Sequence, residues 1–141
     1  MLFRSNVIRF EAPWGQGFDI DAAVELIRTE KPNAVAFVHG ETSTGVFTSG
    51  EAICAAAHEV GAVTIADCVT SLGACNVPMD AWGIDVIGSG SQKGYMMPPG
   101  LAFVAVSERA WEAYSRSDLP KFYLDLGKYR DRKSTRLNSS H

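Results

Sequence analysis

Lys93 is the residue in this sequence best suited to covalent chemistry, and it follows the polar segment Ser89-Gly90-Ser91-Gln92. Partial burial of an amine favours its neutral form, which is a nucleophile for an aldehyde. The hydroxyl, amide and backbone N–H groups before it suit a phosphate, although that signal is nonspecific by itself. A lysine in a loop is more often a solvated surface charge, so its role depends on the segments that lie beside it.

A second candidate, Asp67, ends an apolar run that starts at Val63. An unpaired carboxylate at the end of a buried strand is costly, so we expect a cationic or hydrogen-bonding partner, for which a protonated pyridine nitrogen is suitable. An aspartate in this place also commonly caps the turn that follows it. Both interpretations remain open on these residues alone. The length of chain between Asp67 and Lys93 fits one crossover connection and one further strand. We therefore expect the two residues to lie on adjacent loops.

Apolar runs of strand length alternate along the chain with stretches of helical character. Such alternation favours an α/β layer fold. Strands are predicted over residues 6–11, 34–39, 63–67, 85–88 and 101–107, and helices over 21–29, 49–60 and 108–115. Asp21 is a suitable cap for the first helix, and Gly61 is a suitable stop for the second.

The runs that start at Ala34 and Val63 contain small and β-branched apolar residues without polar alternation. This pattern is typical of central parallel strands, so we predict an α/β fold with a mostly parallel sheet and helices on both faces. In open α/β sheets, ligands bind beyond the carboxyl ends of the strands. Those ends carry residues 39–45, 67–71 and 89–93, and we expect these three polar loops to converge on one rim.

The composition argues against several other classes of function. A formal charge of −3 and a pI near 5.5 leave no basic patch of the kind that nucleic-acid phosphates require. No apolar run is long enough to span a membrane and no secretory signal begins the chain, so we expect a cytoplasmic protein. Cys54, Cys68 and Cys75 are odd in number and lack CxxC spacing, which favours reduced thiols over disulfides or a metal site.

Three motifs occur in a definite order along the chain. They are His39-x-Glu41-Thr42-Ser43-Thr44-Gly45, then Asp67-x-Val69-x-Ser71-x-Gly73, then Ser89-Gly90-Ser91-Gln92-Lys93 followed by Pro98-Pro99-Gly100. Together they resemble the class V aminotransferases, which use pyridoxal 5'-phosphate, and within that class the alanine/serine–glyoxylate aminotransferase group. The resemblance runs from about residue 10 to residue 130 and is far more specific than any one motif.

The resemblance implies a role for each of five residues. Lys93 would hold the cofactor as a Schiff base and would then move a proton between the substrate α-carbon and the cofactor. Asp67 would keep the pyridine nitrogen protonated, and Val69 would pack on the ring face. Gln92 would be a phosphate ligand, and Thr42 would hydrogen-bond the phenolic oxygen.

The resemblance also implies that residues 1–130 are part of the large domain of a fold-type-I enzyme, cut at both ends, with an antiparallel strand near residues 101–107. The complete enzyme would be a homodimer that acts on small amino acids and 2-oxo acids, without nucleic-acid or membrane partners. Residues 131–141 resemble a translated sequencing adapter, and we treat them as a non-native tail. We therefore expect the 141-residue chain by itself to be inactive.

Transamination from alanine or serine to glyoxylate is the function that the resemblance favours, and three alternatives stay open. A different donor, such as aspartate, an aminophosphonate or pyridoxamine, is compatible with the same motifs. A cysteine desulfurase-like lyase would have glutamine where Thr70 stands and histidine where Gln92 stands. From a different class, the chain could be a standalone α/β binding module without catalysis.

Overall fold

The computed structural model describes residues 5–130, which fall into two units, one of residues 7–116 and one that includes residues 117–130. In chain order the elements of the larger unit are α1 (Ile20–Glu30), β1 (Ala34–Val38), α2 (Glu51–Glu59), β2 (Val63–Asp67), α3 (Met79–Trp82), β3 (Val86–Gly90), β4 (Ala102–Val106) and α4 (Glu108–Arg116). The predicted tail, residues 131–141, lies outside the described residues.

The four strands form one sheet in the order β1-β2-β3-β4. Strands β1, β2 and β3 are parallel, whereas β4 runs antiparallel to β3. The register sets Asp67 directly between Val38 of β1 and Gly88 of β3. The α/β class, the mostly parallel sheet and the antiparallel strand near residues 101–107 are therefore confirmed.

Helices α1 and α2 pack together against one face of the sheet. Helix α2 buries Ile53 and Cys54, which belong to the same apolar clusters as Phe37, Ala66 and Ile87 from three adjacent strands. Alternate strand residues point to this face because side chains in a strand have a period of two. Within the described part of the chain, every helix is too short or too polar to cross a membrane.

The opposite face of the sheet is also apolar, as the lack of polar alternation indicated. Its side chains remain partly accessible, with Val38 36%, Ile65 40% and Val104 51% exposed. The apolar character of this face is therefore present, but the described residues leave it less covered than the face that carries α1 and α2.

Two local predictions differ from the structure, and one short helix was not predicted. Asp19, not Asp21, caps α1, because its Oδ1 accepts the N–H of Ala22 at 3.0 Å and the helix already begins at Ile20. Residues 6–11 form no strand, since no neighbouring strand among the described residues satisfies their backbone groups. Helix α3 was not predicted, because four residues are too short to show a helical period.

Asp85, which is 2% exposed, connects the elements at the end of the sheet opposite the polar loops. Its carboxylate accepts hydrogen bonds from Thr64 N at 2.9 Å, Ser107 Oγ at 2.8 Å and Arg109 Nη2 at 3.0 Å. Burial alone would raise the pKa of Asp85, but Arg109 and these hydrogen bonds hold it below its ordinary value. The network joins β2, β3 and the start of α4.

In the second unit, residues 117–130 form turns and a short helical segment. Lys128 Nζ donates to the carbonyl oxygen of Phe122 at 2.9 Å and lies 4.2 Å from the centroid of the Phe122 ring. None of the predicted site residues belongs to this unit.

Candidate functional site

Three loops follow the carboxyl ends of the parallel strands. We call residues 39–48 the Thr42 loop, residues 67–75 the Asp67 loop and residues 91–100 the Lys93 loop. Because β2 lies between β1 and β3, the Asp67 loop has the other two loops as neighbours. The Asp67 loop contacts the Thr42 loop through Thr70 and the Lys93 loop through Leu72 and Ala74.

The Asp67 loop begins with a tight turn. Asp67 Oδ1 accepts the N–H of Val69 at 3.0 Å, so the predicted turn cap is confirmed. A carboxylate has a second oxygen, and this cap is therefore compatible with a ligand contact. Leu72 N donates to Cys68 O at 2.9 Å, and Ser89 Oγ donates to the same carbonyl at 3.2 Å. Burial raises the pKa of the Cys68 thiol, as expected of a structural cysteine.

The Thr42 loop contacts the Asp67 loop through two hydroxyl groups. Thr42 Oγ1 and Thr70 Oγ1 share a short hydrogen bond. The loop is shaped from within by Glu41, whose carboxylate accepts the N–H of Ser43 at 2.8 Å and its hydroxyl at 2.6 Å. These bonds hold the pKa of Glu41 below its usual range. Thr42 is thus fixed against the residues that follow Asp67.

The Lys93 loop is closed at its base by Ser91, which is fully buried. Ser91 N donates to Leu101 O at 3.0 Å, and Ser91 Oγ donates to Pro98 O at 2.7 Å. Within the loop, Met96 N donates to Lys93 O at 2.8 Å. Lys93 itself is half-buried.

Two glycines let the Lys93 loop press against the Asp67 loop. A Cβ on Gly94 would lie 2.5 Å from Leu72 O and 2.8 Å from Ala74 N. A Cβ on Gly73, which has a φ of +93°, would lie 3.0 Å from the carbonyl carbon of Gly94. A side chain at either position would collide with backbone atoms, so the two loops can approach this closely because both residues are glycine.

Gln92 and Gly88 complete the description of this edge of the sheet. Gln92 is exposed, and its side chain turns back toward the preceding strand, because a Cβ on Gly90 would lie 3.0 Å from Gln92 Oε1. Gly88, the register partner of Asp67, has open space where a side chain would stand. The loops at this edge of the sheet thus carry an amine (Lys93), a carboxylate (Asp67), a hydroxyl (Thr42) and an amide (Gln92). This donor set fits pyridoxal phosphate.

The five residues predicted for the site all lie on these adjoining loops, while the roles assigned to Lys93, Asp67, Val69, Gln92 and Thr42 stay predictions. Sequence reasoning missed the contact between Gly94 and the Asp67 loop. It also assigned no function to His39, whose Nδ1 shares a hydrogen bond of 2.7 Å with Ser71 Oγ. The available signals were a glycine directly after the lysine and a histidine that ends an apolar strand.

Comparison with known proteins identifies relatives over most of the chain. The family model described as aminotransferase class-V matches residues 6–128. The small subunit of a soluble hydrogenase from Synechococcus sp. (strain PCC 6716) is 58% identical over 126 residues, which is 86% of this chain and 33% of that protein.

Two solved structures are similar to the chain in three dimensions. Ureidoglycine–glyoxylate aminotransferase from Bacillus subtilis has a TM-score of 0.83 and 37% identity, covering 89% of this chain and 33% of that one. Alanine–glyoxylate aminotransferase from Nostoc sp. has a TM-score of 0.78 and 36% identity, covering 84% and 32%. The chain thus spans about a third of the length of the relatives that it matches.

Proposed function

The chain belongs to the class V aminotransferases, and we propose that the protein containing it transfers an amino group from alanine or serine to glyoxylate. Pyridoxal 5'-phosphate, the cofactor of this family, supplies an aldehyde that takes up amino groups and a ring that accepts electrons. Glyoxylate is named in both structural relatives, and alanine is named as the donor in one of them. These names support glyoxylate more strongly than they support either donor.

The observation that carries the proposal is the contact between Gly94 and the backbone of Leu72 and Ala74. It sets the loop that carries the Lys93 amine against the loop that begins with the Asp67 carboxylate. A lysine amine and a carboxylate on two contacting loops at one sheet edge suit a cofactor with one reactive aldehyde and one basic ring nitrogen.

The two groups have complementary tasks in proton transfer. The Lys93 amine would hold the cofactor covalently and, as a free amine, would take up the proton of the substrate α-carbon. The negative charge of Asp67 would keep a proton on the ring nitrogen, which would increase the ring's capacity to accept electrons. Oδ1 accepts the N–H of Val69, so this contact would use the second carboxylate oxygen.

Three further residues orient the cofactor in this proposal. The half-buried Val69 side chain would pack on the ring, while the Thr42 hydroxyl, fixed by Thr70, would donate to the phenolic oxygen. The Gln92 amide would donate to the phosphate. We also propose that the full-length protein is a cytoplasmic homodimer, which sedimentation of the purified protein and fractionation of cells would test.

The proposal is tested by finding the lysine that carries the cofactor. The full-length gene product is incubated with pyridoxal phosphate, reduced with borohydride and analysed by peptide mass mapping. We expect the adduct on Lys93, its loss in Lys93→Arg, and its retention in the control Lys31→Arg, which changes an exposed lysine at the end of α1. An adduct on another lysine, or none, would support the binding-module alternative.

A substrate screen then separates the enzymatic alternatives. We expect glycine to form from glyoxylate with alanine or serine as donor. Faster turnover with aspartate, an aminophosphonate or pyridoxamine would change the donor but keep the reaction class, and sulfide release from cysteine would indicate a lyase. Because one relative is named as a hydrogenase subunit, dye reduction by hydrogen is measured on the same preparation.

A further inference from the structure

His39 is fully buried where β1 gives way to the Thr42 loop, and it is bonded to both neighbouring segments. Its backbone N–H donates to Asp67 O at 2.9 Å, and its carbonyl accepts the N–H of Thr48 at 2.9 Å. Its ring meets the Phe47 ring edge-on at a centroid distance of 4.3 Å and lies 5.7 Å from Trp82. The imidazole is therefore held on several sides.

The polar atoms of this ring are used unequally. Nδ1 shares a hydrogen bond of 2.7 Å with Ser71 Oγ, whereas Nε2 is buried without a hydrogen-bond partner among the described residues. Burial lowers the pKa of His39, which favours a neutral ring. Burying a polar nitrogen without a partner is unfavourable. The bond from Nδ1 to Ser71 is therefore the one side-chain hydrogen bond of this ring within the described residues.

Ser71 is the point at which the Asp67 loop is anchored. Its side chain bonds to His39, while its carbonyl accepts the N–H groups of Ala74 at 3.0 Å and Cys75 at 2.7 Å. A Cβ on Gly40 would lie 3.1 Å from Ser71 Cβ, so the two loops are in close contact at this point. Displacement of Ser71 would move both halves of the Asp67 loop.

We propose that His39 is a positioning residue, which acts through its hydrogen bond to Ser71 to fix the Asp67 loop and thereby the direction of the Asp67 carboxylate and the Val69 side chain. This inference rests on the proposed function, because it assigns the positioned groups to the cofactor ring. The inference makes His39 and Ser71 necessary for cofactor binding in addition to the five residues predicted from the sequence.

Substitution of His39 by an amide side chain can distinguish the contributions of its two ring nitrogens. In His39→Asn the amide stands near the position of Nδ1 and can restore the bond to Ser71, whereas in His39→Gln it stands near Nε2 and leaves Ser71 unpaired. Ser71→Ala removes the bond from the other side. Thr64→Val is the matched control, because Thr64 is equally buried and hydrogen-bonded but lies at the opposite end of β2.

Two measurements are made on the full-length protein. The first is hydrogen exchange of the backbone amides in residues 67–75 without cofactor, at a temperature where every variant is folded. The second is the affinity for pyridoxal phosphate and the absorption maximum of the bound cofactor as a function of pH. We expect Ser71→Ala and His39→Gln to speed exchange and weaken binding about tenfold, the effect of one lost hydrogen bond.

The conservative variant and the control distinguish positioning from general stability. His39→Asn should keep exchange and affinity within about threefold of wild type, and Thr64→Val should lower the unfolding temperature without changing either. Unchanged exchange in both Ser71→Ala and His39→Gln would overturn the inference. Faster exchange together with unaltered affinity and spectrum would also overturn it. If wild-type protein carries no cofactor on Lys93, the proposed function fails, and with it the positioning role, even where exchange in the loop responds.

Discussion

Replacing Asp85 by asparagine should destabilise the fold strongly while keeping the shape of the side chain. The carboxylate accepts hydrogen bonds from Thr64, Ser107 and Arg109, and its side chain is 3% exposed. An asparagine offers one oxygen and one NH2 group, so at least one of these donors would face another donor. The Arg109 guanidinium would also lose its anionic partner.

The expected loss follows from the burial of the pair. Removing one partner of a buried ion pair costs about 3–5 kcal/mol, because the remaining charge is left uncompensated. The Arg109 side chain is 34% exposed, so water can solvate part of its charge after the change. We therefore expect the free energy of unfolding to fall by about 3 kcal/mol, near the lower end of that range.

Equilibrium urea unfolding followed by circular dichroism measures this loss. The control is Asp80→Asn, which changes an exposed aspartate on α3 and should alter the free energy of unfolding by less than about 0.5 kcal/mol. A loss in Asp85→Asn below about 1 kcal/mol, the worth of one ordinary hydrogen bond, would refute the argument that a buried charge holds this end of the sheet together.

Three further predictions concern pH and backbone fit. The pKa of Asp85 is lower in the folded state than in the unfolded state. The stability that its carboxylate contributes is therefore complete above the ordinary aspartate pKa and is lost as the pH falls through the folded pKa. The urea midpoints of wild type and Asp85→Asn should accordingly converge in acid. In Gly94→Ala the new Cβ would lie 2.5 Å from Leu72 O, so the free energy of unfolding in urea should fall by about 1–3 kcal/mol. The control Gly17→Ala, whose Cβ has nothing within 4 Å, should change it by less than about 0.5 kcal/mol. Met96 has a φ of 55° and is 92% exposed, so Met96→Asn should raise the unfolding temperature by relieving about 0.5–1 kcal/mol of strain without loss of packing.

The sheet could be predicted from the sequence because its central strands are continuous apolar runs, which leave few other arrangements. Residues 6–11 also contain apolar residues of strand type, yet they form no strand, since pairing depends on a neighbour that local sequence does not specify. The cap of α1 was displaced from Asp21 to Asp19 for a related reason. Ile20 packs against the buried apolar residues Ile27, Ile53 and Ala56, which accounts for its place as the first residue of the helix.

The convergence of the three polar loops was likewise predictable, because parallel strands end at one edge of the sheet. What holds the loops together was not, since the contacts of Gly94 with Leu72 and of His39 with Ser71 depend on distances that the tertiary structure alone fixes.

The order of the strands explains why these contacts gather on one loop. With β2 in the centre, the Asp67 loop separates the Thr42 loop from the Lys93 loop, and a ligand held by both must pass beside Asp67. A single carboxylate in that place can therefore act on a ring that the other two loops hold. Changes that loosen the Asp67 loop should then weaken all the contacts to such a ligand together, whereas changes confined to either outer loop should weaken only its own.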